Sequence, residues 1–273
     1  MAIIADILTQ VDAAATAVGA TAFDAVAAEI VPVFRIGSVL VVALVGINLM
    51  AQAVPMTLSN GLGLMVRIAV ASAFLSSWTN FNAVYGVLTN APSEIGAVVM
   101  NAFGGGTGDL YDGLDSLYLQ ALDVGQAISQ NGSYITGALA GLLMFLVAAL
   151  MATVSIIVIS AAKIMIGVLV IFAPIAIACT LFKVTAALFD RWVNLALGFA
   201  FYPMLTSGMA AFTIAIARDL TPASLTNVET IGDVLSFVVV MMLGTGLMAM
   251  VPTIAQSLAQ TATGLGGVAS STF

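Results

Sequence analysis

The sequence predicts an all-α fold, a polytopic transmembrane helical bundle, and three observations predict it. Hydrophobic residues make up 62% of the 273 positions and charged residues only 7%, whereas a soluble domain carries about a quarter charged residues. Several uncharged apolar runs approach or exceed the ~20 residues that cross a bilayer core of roughly 30 Å. Almost no charge falls inside those runs. Six Lys and Arg stand against 13 Asp and Glu, a net charge of −7, which argues against a dedicated nucleic-acid groove. There is no His, and Cys179 is the single cysteine. That leaves no material for an intrachain disulfide, His-based proton transfer or a Cys/His metal cluster. No nucleophile–base pair and no phosphate-binding glycine loop is present, so neither an enzyme nor a cofactor is expected.

Residues 1–34 hold Asp6, Asp12, Asp24 and Glu29 and no Lys or Arg. Ile4, Leu8, Val11, Ala15, Val18, Ala22 and Val26 recur at steps of three or four, the mark of one helix face. An N-terminal amphipathic helix is expected here, facing protein or the outer leaflet. A transmembrane hairpin, 35–80, follows. Its first span runs from Ile36 to Val54, with Arg35 at the entrance and Pro55 as the stop. Its second span covers about 62–80, with Arg67 one turn inside, where it can snorkel. Trp78 and Tyr85 suit the headgroup region.

Residues 81–133 carry five acids and again no Lys or Arg. The absence of positive charge predicts an extracytoplasmic loop. Gly104, Gly105 and Gly106 mark a turn in it. Leu110, Leu114, Leu117, Ala121, Val124 and Ile128 then form a narrow apolar seam, which predicts a short amphipathic helix in the central loop. That seam docks either on its own bundle or on a partner, through Leu114 and Leu117.

A transmembrane bundle over 134–257 completes the fold, with a small-residue tail, 258–273. Tyr134–Ala162 is a long span on which Gly137 and Gly141 allow close helix approach. Ile164–Phe182 is read either as a re-entrant segment broken at Pro174 or as a further span. Val193–Ala217 and Asp233–Val251 are the last spans, separated by a polar loop containing Pro222. The result is five spans plus a re-entrant segment, or six spans. The five-span reading puts Lys163, Lys183 and Arg191 on one face and agrees with the bias of positive charge toward the cytoplasm.

Three stretches resemble the TrbL/VirB-six family, the polytopic inner-membrane components of type IV secretion and conjugation machines. They are Val42–Met50 followed by Met65–Asn80, then Trp78–Asn82 leading into Leu88–Ile95, then Ala173–Leu205 with Pro174, an aliphatic run, a charged turn and the pair Arg191–Trp192. The resemblance covers about 36–250. It implies a multi-pass protein of the bacterial inner membrane with an extracytoplasmic N-terminus. It also implies a channel or platform subunit supporting pilus assembly and passage of DNA or protein substrate. The implied partners are pilin, minor pilin, inner-membrane scaffold subunits, secretion ATPases, further copies of the chain and membrane lipid. Pro174, Lys183, Arg191 and Trp192 become candidate partner-contact residues, beside simple interfacial anchoring of the Arg–Trp pair. A stand-alone small-solute transporter or channel is the alternative function. Transporters usually carry internal repeats and intramembrane ionisable residues, and the sequence shows no such repeat.

The charge asymmetry of 81–133 makes a direct prediction. In a Cys179→Ser background, Ser116→Cys should react with a membrane-impermeant thiol reagent in intact cells. Labelling only after lysis contradicts this topology.

Overall fold

A computed structural model of the chain describes residues 3–51, 58–103, 108–182, 184–220 and 231–270. Among them the structure is all helical: α1 (Ile3–Ala51), α2 (Leu58–Leu75), α3 (Trp78–Ala102), α4 (Leu110–Asn131), α5 (Thr136–Ala178, extended by a 3-10 turn at Cys179–Leu181), α6 (Ala186–Leu220) and α7 (Ile231–Ser270). Lys183, the three glycines at 104–106 and the Pro222 loop lie outside the described residues. Among the described residues four helices are long and apolar enough to cross a membrane, and a bent pair, Gly61–Leu75 with Trp78–Ala102, raises the number to five if it counts as one span.

The helices are longer than the sequence boundaries suggest. The expected boundary at 34/35 falls inside α1, which runs unbroken for 49 residues past Pro32. The segment 164–182 is not a separate re-entrant element or a sixth span. It continues α5, which runs for 43 residues with Pro174 inside its last turns. A proline removes one donor and crowds one carbonyl, but in an apolar medium the remaining helical bonds have no competing water, so the helix persists. The sharp break lies elsewhere, in a 94° bend between α2 and α3. The expected central loop is therefore two helices, α3 and α4, and its boundary at 80/81 falls within α3. The expected tail from 258 likewise begins inside α7.

The chain divides into two compact units, each drawing on several helices. The first comprises Met1–Ala13, Thr89–Ile164 and Gly198–Leu258. Its core is built around the α4 seam: Leu110, Leu114, Leu117, Ala121, Val124 and Ile128 are all buried, against Ile4, Leu8, Met144, Met151 and Phe237. Burying each such Leu stabilises by about 1.5–3 kcal/mol. Leu114 and Leu117, at 0% and 1% exposure, thus pack within the chain's own core, and the seam is not left open for a partner. The α4–α5 turn brings these helices close. A methyl group at Gly141 would lie 2.9 Å from the Gly125 carbonyl oxygen, so only glycine permits that approach.

The second unit comprises Ala14–Leu88, Met165–Leu197 and Ala259–Phe273. Phe23 stacks on Phe81 with centroids 4.8 Å apart and meets Trp78 edge-on at 5.6 Å. Leu75, Ile166, Val170 and Ile177 are buried in the same unit. The buried face of α1 here runs through Ala15, Phe23, Ala27 and Phe34, while Val18 is 60% exposed. Tyr85 is also buried, and its hydroxyl lies 3.1 Å from Thr16 Oγ1. The α3 N-terminus begins at Trp78, whose free backbone N–H donates to the Asp24 carboxylate at 3.0 Å, a cap supplied from 54 residues away.

Candidate functional site

In the first unit, the longest apolar run of the chain is interrupted by one cation, Lys163, and the fold supplies it with an acid. Lys163 Nζ lies 3.0 Å from Asp12 Oδ1, with the two side chains 6% and 33% exposed. The Tyr111 hydroxyl donates to Asp12 Oδ2 at 2.6 Å. Asp12 thus joins α1, α4 and α5 through both carboxylate oxygens. An ammonium buried in apolar surroundings without such a partner is strongly unfavourable. A second acid acts nearby in sequence. Asp115, 4% exposed, accepts the backbone N–H groups of Ile4 at 3.0 Å and Ala5 at 2.8 Å. These are donors left free by the start of α1, and the negative charge also meets the positive end of its dipole.

The Lys163–Asp12 pair lines a polar cavity of about 510 Å³, together with Asn90, Ser93, Glu94, Asn101, Asp109 and Tyr111. Its chemistry is that of carboxylates, amides and one paired ammonium. The arrangement holds charge and hydrogen-bonds polar groups. Because Lys163 is committed to Asp12, it is not a loop cation. It therefore carries no weight in assigning sidedness, against the reading that grouped it with Lys183 and Arg191.

In the second unit, the α6 N-terminal turns carry Arg191 and Trp192. The Trp192 indole N–H donates to the Leu169 carbonyl at 2.8 Å, five residues before Pro174 on α5. Its ring lies 5.9 Å from Phe189 and 6.3 Å from Phe81. Pro174 is buried and Arg191 exposed. Trp192, Phe74, Phe81, Ile177, Phe189 and Arg67 line a separate apolar cavity of about 180 Å³. The structure thus brings Trp192 to the Pro174 region within this unit. Lys183 is outside the described residues, and Leu114 and Leu117 belong to the core of the first unit.

Residues 38–251 match the family of the TrbL/VirB6 plasmid conjugal transfer protein. The chain belongs to that family. No curated protein matches it. Membership makes this TrbL/VirB6 protein a component of conjugal transfer and type IV secretion, interacting with other components of such systems. Its candidate spans make it a membrane protein. The matched range includes Tyr111, Asp115, Lys163, Pro174, Arg191 and Trp192, and begins after Asp12.

Sequence reasoning missed Asp12, Tyr111 and Asp115 as a group. The available signal was Lys163, a lone cation in an apolar run of nearly fifty residues, which requires an acid from elsewhere in the chain. The structure predicts an asymmetry among substitutions. Lys163→Met should destabilise the purified protein by up to about 3–5 kcal/mol, the cost of orphaning a buried partner, reduced by the partial exposure of Asp12. Adding Asp12→Asn should restore part of the loss, and Tyr111→Phe alone should cost about 1.5–3 kcal/mol. Thermal unfolding in detergent reads all three. Additive losses in the double variant contradict the pairing.

Proposed function

We propose that this protein is a multi-pass platform subunit of a type IV secretion system in the bacterial inner membrane. It would support pilus assembly and passage of DNA or protein substrate across that membrane. The match of 38–251 to the conjugal transfer family carries the reading. The distribution of charge supports a platform over a DNA-lining conduit. A single-stranded nucleic-acid channel needs a basic track with stacking aromatics, and Lys163 is neutralised by Asp12. Arg191 is exposed on α6 and supplies a contact for a partner subunit. Only 6% of the apolar window of α1 is buried. Val33, Ile36, Val39 and Met50 are among the residues left bare along it. That surface is suited to lipid or to a neighbouring subunit, as an assembly component requires.

The test is genetic. Deleting the gene from a conjugative donor should abolish transfer, and the wild-type gene should restore it. Arg191→Glu should leave the protein at normal abundance in the membrane. It should also reduce transfer and recovery with the secretion complex by at least about tenfold, the effect of ~1.4 kcal/mol. Transfer unaffected by deletion overturns the function. Wild-type transfer by Arg191→Glu removes Arg191 from the contact.

A further inference from the structure

The apolar cavity of the second unit has a cation at its edge. Arg67 is exposed on α2 and lines the cavity beside Val70 and Phe74 of the same helix. Among the described residues it has no ion pair and no hydrogen-bond partner. The rest of the wall is Phe81, Phe189, Trp192 and aliphatic side chains, with Thr180 as the remaining polar residue. The cavity measures about 180 Å³, and an apolar cavity of about 150 Å³ already takes a ring-sized hydrocarbon while staying dry. The helices that form it belong to a membrane protein, for which lipid is the hydrocarbon at hand. Left empty, the aromatic wall would lose its dispersion contacts. Water has almost no polar partner there. Hydrocarbon fills it at no such penalty. The unpaired guanidinium then selects the headgroup. Arg binds phosphate through a planar fork of donors, and a net anionic headgroup leaves that charge uncompensated by any cation of its own.

We propose that this cavity is a binding site for an anionic phospholipid, with part of an acyl chain against Trp192 and Phe81 and the phosphate on Arg67. A lipid in this place would bridge α2 and the start of α6. It would also explain why a cation is tolerated on an apolar helix that offers it no acid.

Trp192 reports on occupancy directly. The chain has two tryptophans, so Trp78→Phe leaves Trp192 as the single fluorophore. The protein is placed in phosphatidylcholine vesicles containing rising fractions of phosphatidylglycerol or phosphatidylcholine with brominated acyl chains, which quench on contact. Brominated phosphatidylglycerol should reach half-quenching at about a fivefold lower fraction than brominated phosphatidylcholine, the selectivity of one cation for anionic lipid. Arg67→Gln should erase that difference and leave the phosphatidylcholine curve in place, while Arg67→Lys should retain most of it. Ala71→Phe should fill the cavity and abolish saturable quenching by both lipids. Identical curves for the two lipids, or selectivity that survives Arg67→Gln, overturn the proposal. Displacement of brominated phosphatidylglycerol by millimolar inorganic phosphate would reassign Arg67 to a free-anion site and also overturn it.

Discussion

The ion pair between Lys163 and Asp12 is the constraint on which the first unit depends. A lysine in the middle of a 43-residue apolar helix, itself 5% exposed, is strongly unfavourable without an acidic partner. Its acid comes from α1, so the start of α1 must lie against α5. Tyr111 of α4 closes the arrangement on the second carboxylate oxygen. Once α1 is held there, its first free amides fall within reach of Asp115, and Ile4 and Leu8 enter the core formed by the α4 seam. Polar specificity and apolar packing therefore act on the same few turns. A pair of this kind adds little net stability over apolar residues of equal size. Its consequence is which helix faces which.

The same economy of acids appears in the second unit, where Asp24 caps the start of α3 after the 94° bend. A chain with so few charged groups uses its carboxylates to satisfy backbone donors that water would otherwise serve. The prolines follow the complementary rule. Pro32, Pro92, Pro174, Pro203 and Pro252 all lie inside helices. In water such positions would end or sharply kink a helix. In a membrane protein, neighbouring helices and side chains can compensate the lost bond.

This contrast explains how much was legible in the sequence. Local periodicity predicted α4 well: each residue of the seam from Leu110 to Ile128 is buried. The pair Gly137 and Gly141 also marked a real close approach, to Gly132 and Gly125 of the α4 end and face. Composition alone placed the chain among helical membrane proteins. What could not be read was long-range. Asp115 meets residues 110 and 111 positions away and Tyr111 meets Asp12 across 99, and no window of sequence contains both partners. Reading Pro174 as a break, a rule learned in water, and ending the preceding span at Lys163 set 164–182 apart from α5, which runs through both residues. Beyond Ala15 the buried stripe of α1 is offset by one residue from the expected face: Gly19, Phe23 and Ala27 are buried in place of Val18, Ala22 and Val26.

The most direct test of the central claim is hydrogen exchange in the first turns of α1. If Lys163 holds Asp12, then Lys163→Met should free this end of the helix. Amides in peptides covering Ile3–Ala13 should exchange markedly faster than in the wild type, while those of α4, whose seam is apolar, keep their protection. Unchanged protection over Ile3–Ala13 in a folded Lys163→Met protein would contradict the account, because the start of α1 would then be held by apolar packing and the Asp115 cap without the ion pair.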